Sequence, residues 1–368
     1  MLVNSQLYRT IWPQRSRANS LAVVCIIDQT KLPHQFVIAS IEHFQQMLAA
    51  INTMQVRGAP LIGAAAAYAI ALAVQDDASD QHLQASAAQL MQSRPTAVNL
   101  HWAVQRMLGL LMTLPASDRN QAAWHEAANI CEQDVLLNQA IGRHGWTLIQ
   151  AASEHAKVSQ VQGSVVNVLT HCNAGWLATV DFGTALAPIY TAHNAGINLH
   201  VWVDETRPRN QGASLTAWEL AQHGVPHTII SDNAGGHLMQ QGLVDLVIVG
   251  ADRVTSQGDV CNKIGTYLKA LAAFDNDVPF YAAVPSPTID WTITDGLTEI
   301  EIEHRHGDEL AYMQGLAADG SLQNIRVIPV GAQAMNPAFD VTPARLVTGI
   351  ITEQGIFPPA ELSLSRQT

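Results

Sequence analysis

The chain has no CxxC pair, no HExxH motif and no GxGxxG turn after any strand-like run, and only 14 % of its residues are charged. Each gap removes a class of function. Its four cysteines, Cys25, Cys131, Cys172 and Cys261, lie far apart and fit neither zinc-ligand spacing nor a disulfide framework, so reduced thiols are expected. The fifteen histidines include His304 and His306 around Arg305, yet without HExxH no metal is expected. The missing glycine fingerprint leaves a nicotinamide cofactor unsupported, and no other cofactor is indicated. Basic residues are scarce, 19 against 31 acidic, for a net charge of −12. That balance argues against nucleic acid and anionic membrane as partners, because both demand a basic face. No stretch reads as the roughly 18 apolar residues of a membrane span, and no basic region followed by an apolar signal core opens the chain, so a cytoplasmic location is expected. Internal repeats and low-complexity linkers are lacking too.

What is present is apolar material: 48 % of 368 residues, enough for two domains, extensive buried strands and a buried subunit interface. Up to about residue 143 the pattern is helical after a short β-like opening at residues 21–27 and 35–38. The run AAAAYAIALAV from Ala64, and residues 98–111 and 121–146, have helix-forming composition. Beyond Gly163 the runs SVVNVLT, LHVWVDE, HTIIS, DLVIVGAD, PFYAAVP and IRVIPV alternate with segments of helical length. Continuous apolar strands separated by helices predict a parallel sheet covered on both faces. The expected fold is α/β: a mainly helical N-terminal domain with a small β-sheet over residues 1–143, then a Rossmann-like parallel-sheet domain over residues 144–368.

Two of these strands end in chemistry. One breaks into Thr170-His171-Cys172-Asn173-Ala174-Gly175, the other into Gly250-Ala251-Asp252-Arg253. Strand ends of open α/β sheets are where ligands sit, so a thiol and a carboxylate there suggest one pocket and an enzyme. Cys172 reads either as a small buried hydrophobe or as a base, which would need its pKa lowered from about 8.5 by a cation or a helix start. Asp252 has the opposite need: to donate a proton it must rise from about 3.9, which burial would accomplish. Arg253 would spoil that if it faced the carboxylate, but strand neighbours point to opposite faces.

Basic candidates for an anionic ligand are few. Arg57-Gly58-Ala59-Pro60 precedes the alanine-rich helix, where a guanidinium, free N–H groups and a glycine together resemble a phosphate clamp, or simply a turn with a solvated arginine. Arg94 lies in Ser93-Arg94-Pro95-Thr96, a turn opening the next helical segment. Lys263 follows Asn262 after a Gly258-Asp259 turn and could act as a point charge. Gln211, in the polar run at residues 204–213 that follows another of these strands, could serve sugar hydroxyls or belong to a structural loop.

At these residues the chain resembles the methylthioribose-1-phosphate isomerases, a family within one superfamily with the regulatory subunits of the eukaryotic initiation-factor guanine-exchange complex. The likeness runs through DQTKLPHQF at Asp28, RGAPLIG at Arg57, RPTAVNLHWA at Arg94, THCNAGWLAT at Thr170, ETRPRNQGASLTAWEL at Glu205, GADRVTSQGDVCNKIGTY at Gly250 and NPAFDVTP at Asn336. It implies conversion of 5-methylthioribose 1-phosphate to 5-methylthioribulose 1-phosphate in methionine salvage, with Cys172 and Asp252 as the catalytic pair. Arg57, Gly58, Ala59, Arg94, Gln211, Asn262 and Lys263 would bind the sugar phosphate, and a homodimer is implied. Three departures stand out: Ser214 where arginine is common, Gln257 before Gly258-Asp259, and Ser286-Pro287-Thr288 after PFYAAVP. The rival readings are a ribose-1,5-bisphosphate isomerase, which would need positive charge at the sugar C5 end, and a non-catalytic regulatory subunit, which would have no need for the Cys172 and Asp252 pair.

Overall fold

The computed structural model describes residues 1–15, 22–94, 96–158 and 165–366. Leu21, Pro95 and the Gly163 to Ser164 start of the strand-rich part lie outside the described residues. A hairpin of β1 (Leu2–Val3) and β2 (Gln6–Leu7) leads into an antiparallel sheet of β3 (Ile11–Arg15), β4 (Ala22–Ile27) and β5 (Ile38–Ile41), in the order β3-β4-β5. Two details differ from the sequence expectation. Residues 35–37 are not strand: the Gln35 N–H closes a turn onto the Lys31 carbonyl (2.9 Å), and β5 begins only at Ile38. Conversely, β3 is not among the expected strands; it carries Pro13, which is tolerated because β3 is an edge.

Five helices follow: α1 (Phe44–Asn52), α2 (Ala59–Asp76), α3 (Asp80–Ser93), α4 (Val98–Leu111) and α5 (Ala116–Val158). In α2 every residue from 61 to 74 is buried, since small alanines let its neighbours approach on all sides. The expectation about membrane spans needs amending here. At 18 residues and a mean hydropathy of 1.4, α2 is long and apolar enough to cross a bilayer, but 83 % of it is buried inside the protein, where it forms the core of the helical part. Residue 143 falls within α5, a continuous helix of 43 residues whose second half lies against α6 (Leu186–Asn194). A Cβ on Gly145 would run into the Pro188 ring, so Gly145→Ala would overpack this seam at a cost of about 1–3 kcal/mol.

The large sheet has the order β18-β17-β12-β9-β6-β7-β8. Its strands β6 (Val166–Thr170), β7 (Leu199–Asp204), β8 (His227–Ile230), β9 (Leu246–Val249), β12 (Phe280–Ala283) and β17 (Gly349–Thr352) are parallel, and β18 (Gly355–Phe357) closes one edge antiparallel. Alternation along the strands divides the core. Val168, Val201, Leu246 and Ile248 face α5, α6 and α7 (Ala217–His223), while Leu169, Val247, Val249 and Phe280 face α8 (Ala234–Gln240) and α9 (Thr266–Asp275). A second sheet, β13-β10-β11-β16, is built from β10 (Arg253–Thr255), β11 (Val260–Lys263), β13 (Ile289–Asp290) and β16 (Phe339–Thr342). The expected strand IRVIPV is not in the parallel sheet. Ile325 and Arg326 end β15 (Leu322–Arg326), which pairs antiparallel with β14 (Tyr312–Leu316), and Val327 and Val330 are exposed. The sixth parallel strand is instead GIIT of β17, fully buried and too short to stand out in the sequence.

Candidate active site

Numbered along the chain, the six parallel strands lie in the order 3-2-1-4-5-6, with β6 and β9 as strands 1 and 4. The winding reverses between those two, leaving a crevice at their C-terminal ends where no crossover covers the sheet. Cys172 stands two residues beyond β6 and Asp252 three beyond β9. The two strand ends singled out in the sequence are therefore the two that flank the switch point.

Cys172 is held on every side. Its backbone lies in the left-handed region at φ 66°, a conformation costing about 1–3 kcal/mol that persists only when neighbours enforce it. They do: its N–H donates to Thr206 Oγ1 (2.8 Å), and its carbonyl accepts from Thr216 Oγ1 (2.7 Å). The thiol donates to Gln211 Oε1 at 3.2 Å. Gln211 begins a short π-helical turn, Gly212–Thr216, that runs directly into α7 and brings both Gln211 and Thr216 over the β6 end. Burial pushes the thiol above its usual range, while Arg57 and Lys263 pull it back and Asp252 adds to the rise. The lowered pKa that a resting thiolate base would need is thus not what this site provides.

Asp252 is shifted upward as its sequence context suggested. Burial raises it and outweighs Lys263, Arg57 and Arg94, with Glu303 reinforcing the rise. Arg253 diverges as expected: its guanidinium donates to the Thr96 carbonyl (2.8 Å) and lies 3.7 Å from Asp290. Lys263, at the end of β11, is buried with Nζ 4.6 Å from the centre of the Phe339 ring, and burial pulls its pKa down. Beside it, Asn262 spends one amide hydrogen on Thr266 Oγ1 (3.0 Å).

Arg57 sits just before α2. Gly58, at φ 92°, turns the chain into the helix so close to Ala178 that a Cβ would come within 2.6 Å of it. Two guanidinium N–H groups donate to Asn173, one to its side-chain oxygen and one, at 2.7 Å, to its carbonyl. Arg94 caps the end of α3 and is buried, 3.5 Å from Glu303 Oε2. Among the described residues, its Nε and Nη1 find no hydrogen-bond partner. A buried guanidinium with unmet donors is costly unless an anion completes it. Ala59, Arg94 and Asp252 line a cleft of about 20 Å³, and Arg57 and Gln211 line a separate cavity of about 350 Å³ whose walls combine Met54 and Leu215 with Asp308 and Glu309. Among the described residues, the side chains of His171, Asp204 and Asp232 cluster as metal ligands could. Protein donors already engage them: Lys269 Nζ is 3.0 Å from Asp204, and the Thr206 and Arg207 N–H groups donate to Asp232 at 2.7 and 2.8 Å.

The sequence model of the initiation factor 2 subunit family matches residues 55–359, a span that contains every site residue named above. The chain belongs to that family. Within it, the chain is 59 % identical over 348 residues to the methylthioribose-1-phosphate isomerase of Rhodospirillum rubrum, covering 95 % of this chain and 88 % of that one. It is 57 % identical over 364 residues to the enzyme of the same name from Gluconobacter oxydans, covering 99 % and 97 %. Two solved structures share its fold at 36 % identity: 5-methylthioribose 1-phosphate isomerase from Pyrococcus horikoshii, with a TM-score of 0.79 over 98 % of this chain and 96 % of that one, and subunit delta of translation initiation factor eIF-2B from A. fulgidus, with 0.76 over 98 % and 99 %.

In this member of the initiation factor 2 subunit family, the sequence-chosen residues Arg57, Arg94, Cys172, Gln211, Asp252 and Lys263 converge, through hydrogen bonds or mutual electrostatic influence, on one crevice. Gly58 and Ala59 contribute backbone, and Asn262 flanks Lys263. Sequence reasoning passed over Asn173, Thr206, Thr216, Glu219 and Glu303. The first four lie inside the quoted motifs, and their signal was polarity in segments that had to be buried. Glu303 carries no comparable signal, since residues 296–311 read as an ordinary polar surface.

Proposed function

We propose that the chain is an aldose-ketose isomerase that converts 5-methylthioribose 1-phosphate to 5-methylthioribulose 1-phosphate in methionine salvage. The observation that carries this reading is the pairing of Cys172 with an upward-shifted Asp252 at the switch point, ringed by Arg57, Arg94 and Lys263. The fold does not discriminate, since an isomerase and a translation factor subunit match it almost equally. The full-length relatives at 57–59 % identity bear the isomerase name, and a binding scaffold has no use for a buried acid beside a thiol.

The chemistry follows from the substrate. A phosphate on C1 prevents spontaneous ring opening, so the bond from C1 to the ring oxygen must be broken with acid assistance. Protonated Asp252 donates to the ring oxygen as that bond cleaves, and the cations hold the phosphate. Hydrogen must then pass from C2 to C1. In one route it moves as hydride and the C2 hydroxyl proton returns to Asp252; in the other a base removes it as a proton and an enediol-like species is reprotonated at C1. The upward shift of Cys172 and its donation to Gln211 favour the hydride route, with the neutral thiol turning its single proton from Gln211 to the developing C2 carbonyl. In the larger cavity Leu32, Met54, Leu215 and Met313 offer apolar contact to a methylthio group, while Asp308 and Glu309 would repel a second phosphate. Arg209, in the same cavity, is paired with Glu309 at 3.1 Å. We further propose a two-domain organisation with α5 running from one part into the other, and a cytoplasmic homodimer without nucleic-acid or membrane partners, a reading that the net charge of −12 supports.

The test is turnover by the purified protein of 5-methylthioribose 1-phosphate and, in parallel, ribose 1,5-bisphosphate. Ketose formed from the methylthio sugar supports the reading, preference for the bisphosphate moves the activity to the rival isomerase, and no turnover of either revives the regulatory subunit. With deuterium at C2, label retained at C1 means hydride transfer, and label lost to water means a proton relay.

A further inference from the structure

Glu219, on α7, is completely buried and lies outside the residues assigned to the reaction. Its carboxylate accepts from the Asn173 side-chain amide, the Trp176 N–H (2.8 Å) and the Tyr190 hydroxyl (2.8 Å). Asn173 turns its opposite end to Arg57, taking one guanidinium N–H on its side-chain oxygen and another on its carbonyl. A Cβ on Gly175 would collide with the Glu219 carboxylate, so the loop after β6 is shaped around this group. A carboxylate, an amide and a guanidinium thus form an unbroken chain from α7 to the start of α2, crossing the loop that carries Cys172. Because Asn173 Nδ2 can donate only to an acceptor, an ionised Glu219 fixes which way round the amide lies, and the amide fixes Arg57.

We propose that Glu219 is a positioning residue that, through Asn173, holds Arg57 in the orientation that grips the anionic end of the substrate. This rests on the proposed isomerase reading only in naming that anion as a sugar phosphate. The groups facing Glu219 are Tyr190 from α6, Asn173 and Trp176 from the loop after β6, and Arg57; Tyr190 and Arg57 are the titratable ones. Burial pushes Glu219 up to about 7. The sign follows. Above about pH 7 the carboxylate accepts all three hydrogen bonds and Arg57 is held; below it, the added proton takes up one acceptor position and removes the charge that strengthens the bond from Asn173, which keeps Thr216 Oγ1 (3.1 Å) as its other acceptor, and the grip loosens.

The experiment compares wild type, Glu219→Gln and Tyr190→Phe, each checked for folding by circular dichroism. KM and kcat for 5-methylthioribose 1-phosphate and calorimetric affinity for inorganic sulfate are measured between about pH 5.5 and 9. Sulfate keeps its charge throughout this range, so its affinity reports the protein. Wild type should lose affinity for both ligands as pH falls through about 7. Glu219→Gln should raise KM and weaken sulfate about tenfold at high pH, with kcat changed by less than about threefold, and should lose that limb. Tyr190→Phe removes a hydrogen bond that lowers the Glu219 pKa, so its limb should move to higher pH. A limb in Glu219→Gln like that of wild type, unchanged sulfate affinity, or no measurable sulfate binding by wild type above pH 7 would overturn the proposal. If wild type turns over neither sugar phosphate, the isomerase reading fails, while the sulfate titration still decides the role of Glu219. Should Glu219→Gln not fold, the direction of the Tyr190→Phe limb decides it.

Discussion

The ends of β6 and β9 lie side by side in one crevice yet are built on different principles. After β6 the position of the reactive group is fixed by hydrogen bonds: Thr206 and Thr216 clamp the Cys172 backbone in a left-handed conformation, Gln211 takes its thiol, and Asn173 continues to Arg57 and Glu219. After β9 the residue is anchored, among the described residues, by a backbone bond from the Asp252 N–H to the Cys261 carbonyl (2.9 Å). The acid strength of its side chain is set by burial and Glu303, which raise its pKa, against Lys263, Arg57 and Arg94, which lower it. One strand end specifies geometry, the other specifies a proton affinity. Substitutions near Cys172 should therefore act through position, and those near Asp252 through the pH dependence of the reaction.

The largest break should come from Asp252→Asn. The amide keeps the shape and cannot donate a carboxylic proton to the ring oxygen, so kcat should fall by about 10² to 10⁴ while the fold survives. In the wild type, kcat/KM should decline as pH rises through the elevated Asp252 pKa, and that limb should be missing from residual Asp252→Asn activity. Cys172→Ser ranks next. It preserves a donor to Gln211 but replaces the thiol, and a loss of about 10² in kcat with KM nearly unchanged is expected; near-normal turnover by the folded variant would remove the thiol from the mechanism.

Much of this contrast was legible in the sequence, and the reason is physical. A strand buried on both faces must be apolar, so the polar break after VVNVLT or LVIVGA stands out, and those breaks carry Cys172 and Asp252. The helical part was equally plain, because α2 is rich in alanine and α4 in leucine and other good helix formers. Illegible were the features that depend on who meets whom. The upward shift of Cys172 requires knowing that burial outweighs Arg57 and Lys263. Strand β17 is four residues long, and IRVIPV has the composition of a core strand but lies on the surface. Glu303 reaches Arg94 from more than two hundred residues away, through a segment whose local pattern gives no hint of burial.

Moving outward from the reacting groups, Thr216→Val tests the geometric end. Valine matches threonine in shape but leaves the buried Cys172 carbonyl without its donor and Asn173 with Glu219 alone of its two acceptors. Stability should drop by about 1–3 kcal/mol in urea melts, and kcat should fall about tenfold as the strained loop relaxes. The pH limb assigned to Asp252 should stay in place, because no charge has changed.

Glu303→Gln tests the electrostatic end and should give the smallest effect on rate with a distinctive signature. Glu303 lies 3.5 Å from Arg94 and 2.7 Å from Arg305, and its negative charge helps hold Asp252 up. Neutralising it removes a repulsive carboxylate and leaves Arg94 less compensated, and both changes favour the ionised form of Asp252. The folded-state pKa of Asp252 should therefore fall, and the alkaline limb of kcat/KM should move to lower pH. At the same time KM should decrease, since the phosphate no longer competes with Glu303 for Arg94. A limb that stays put in Glu303→Gln, or one that moves as far in Thr216→Val, would show that the two strand ends are not divided between geometry and charge.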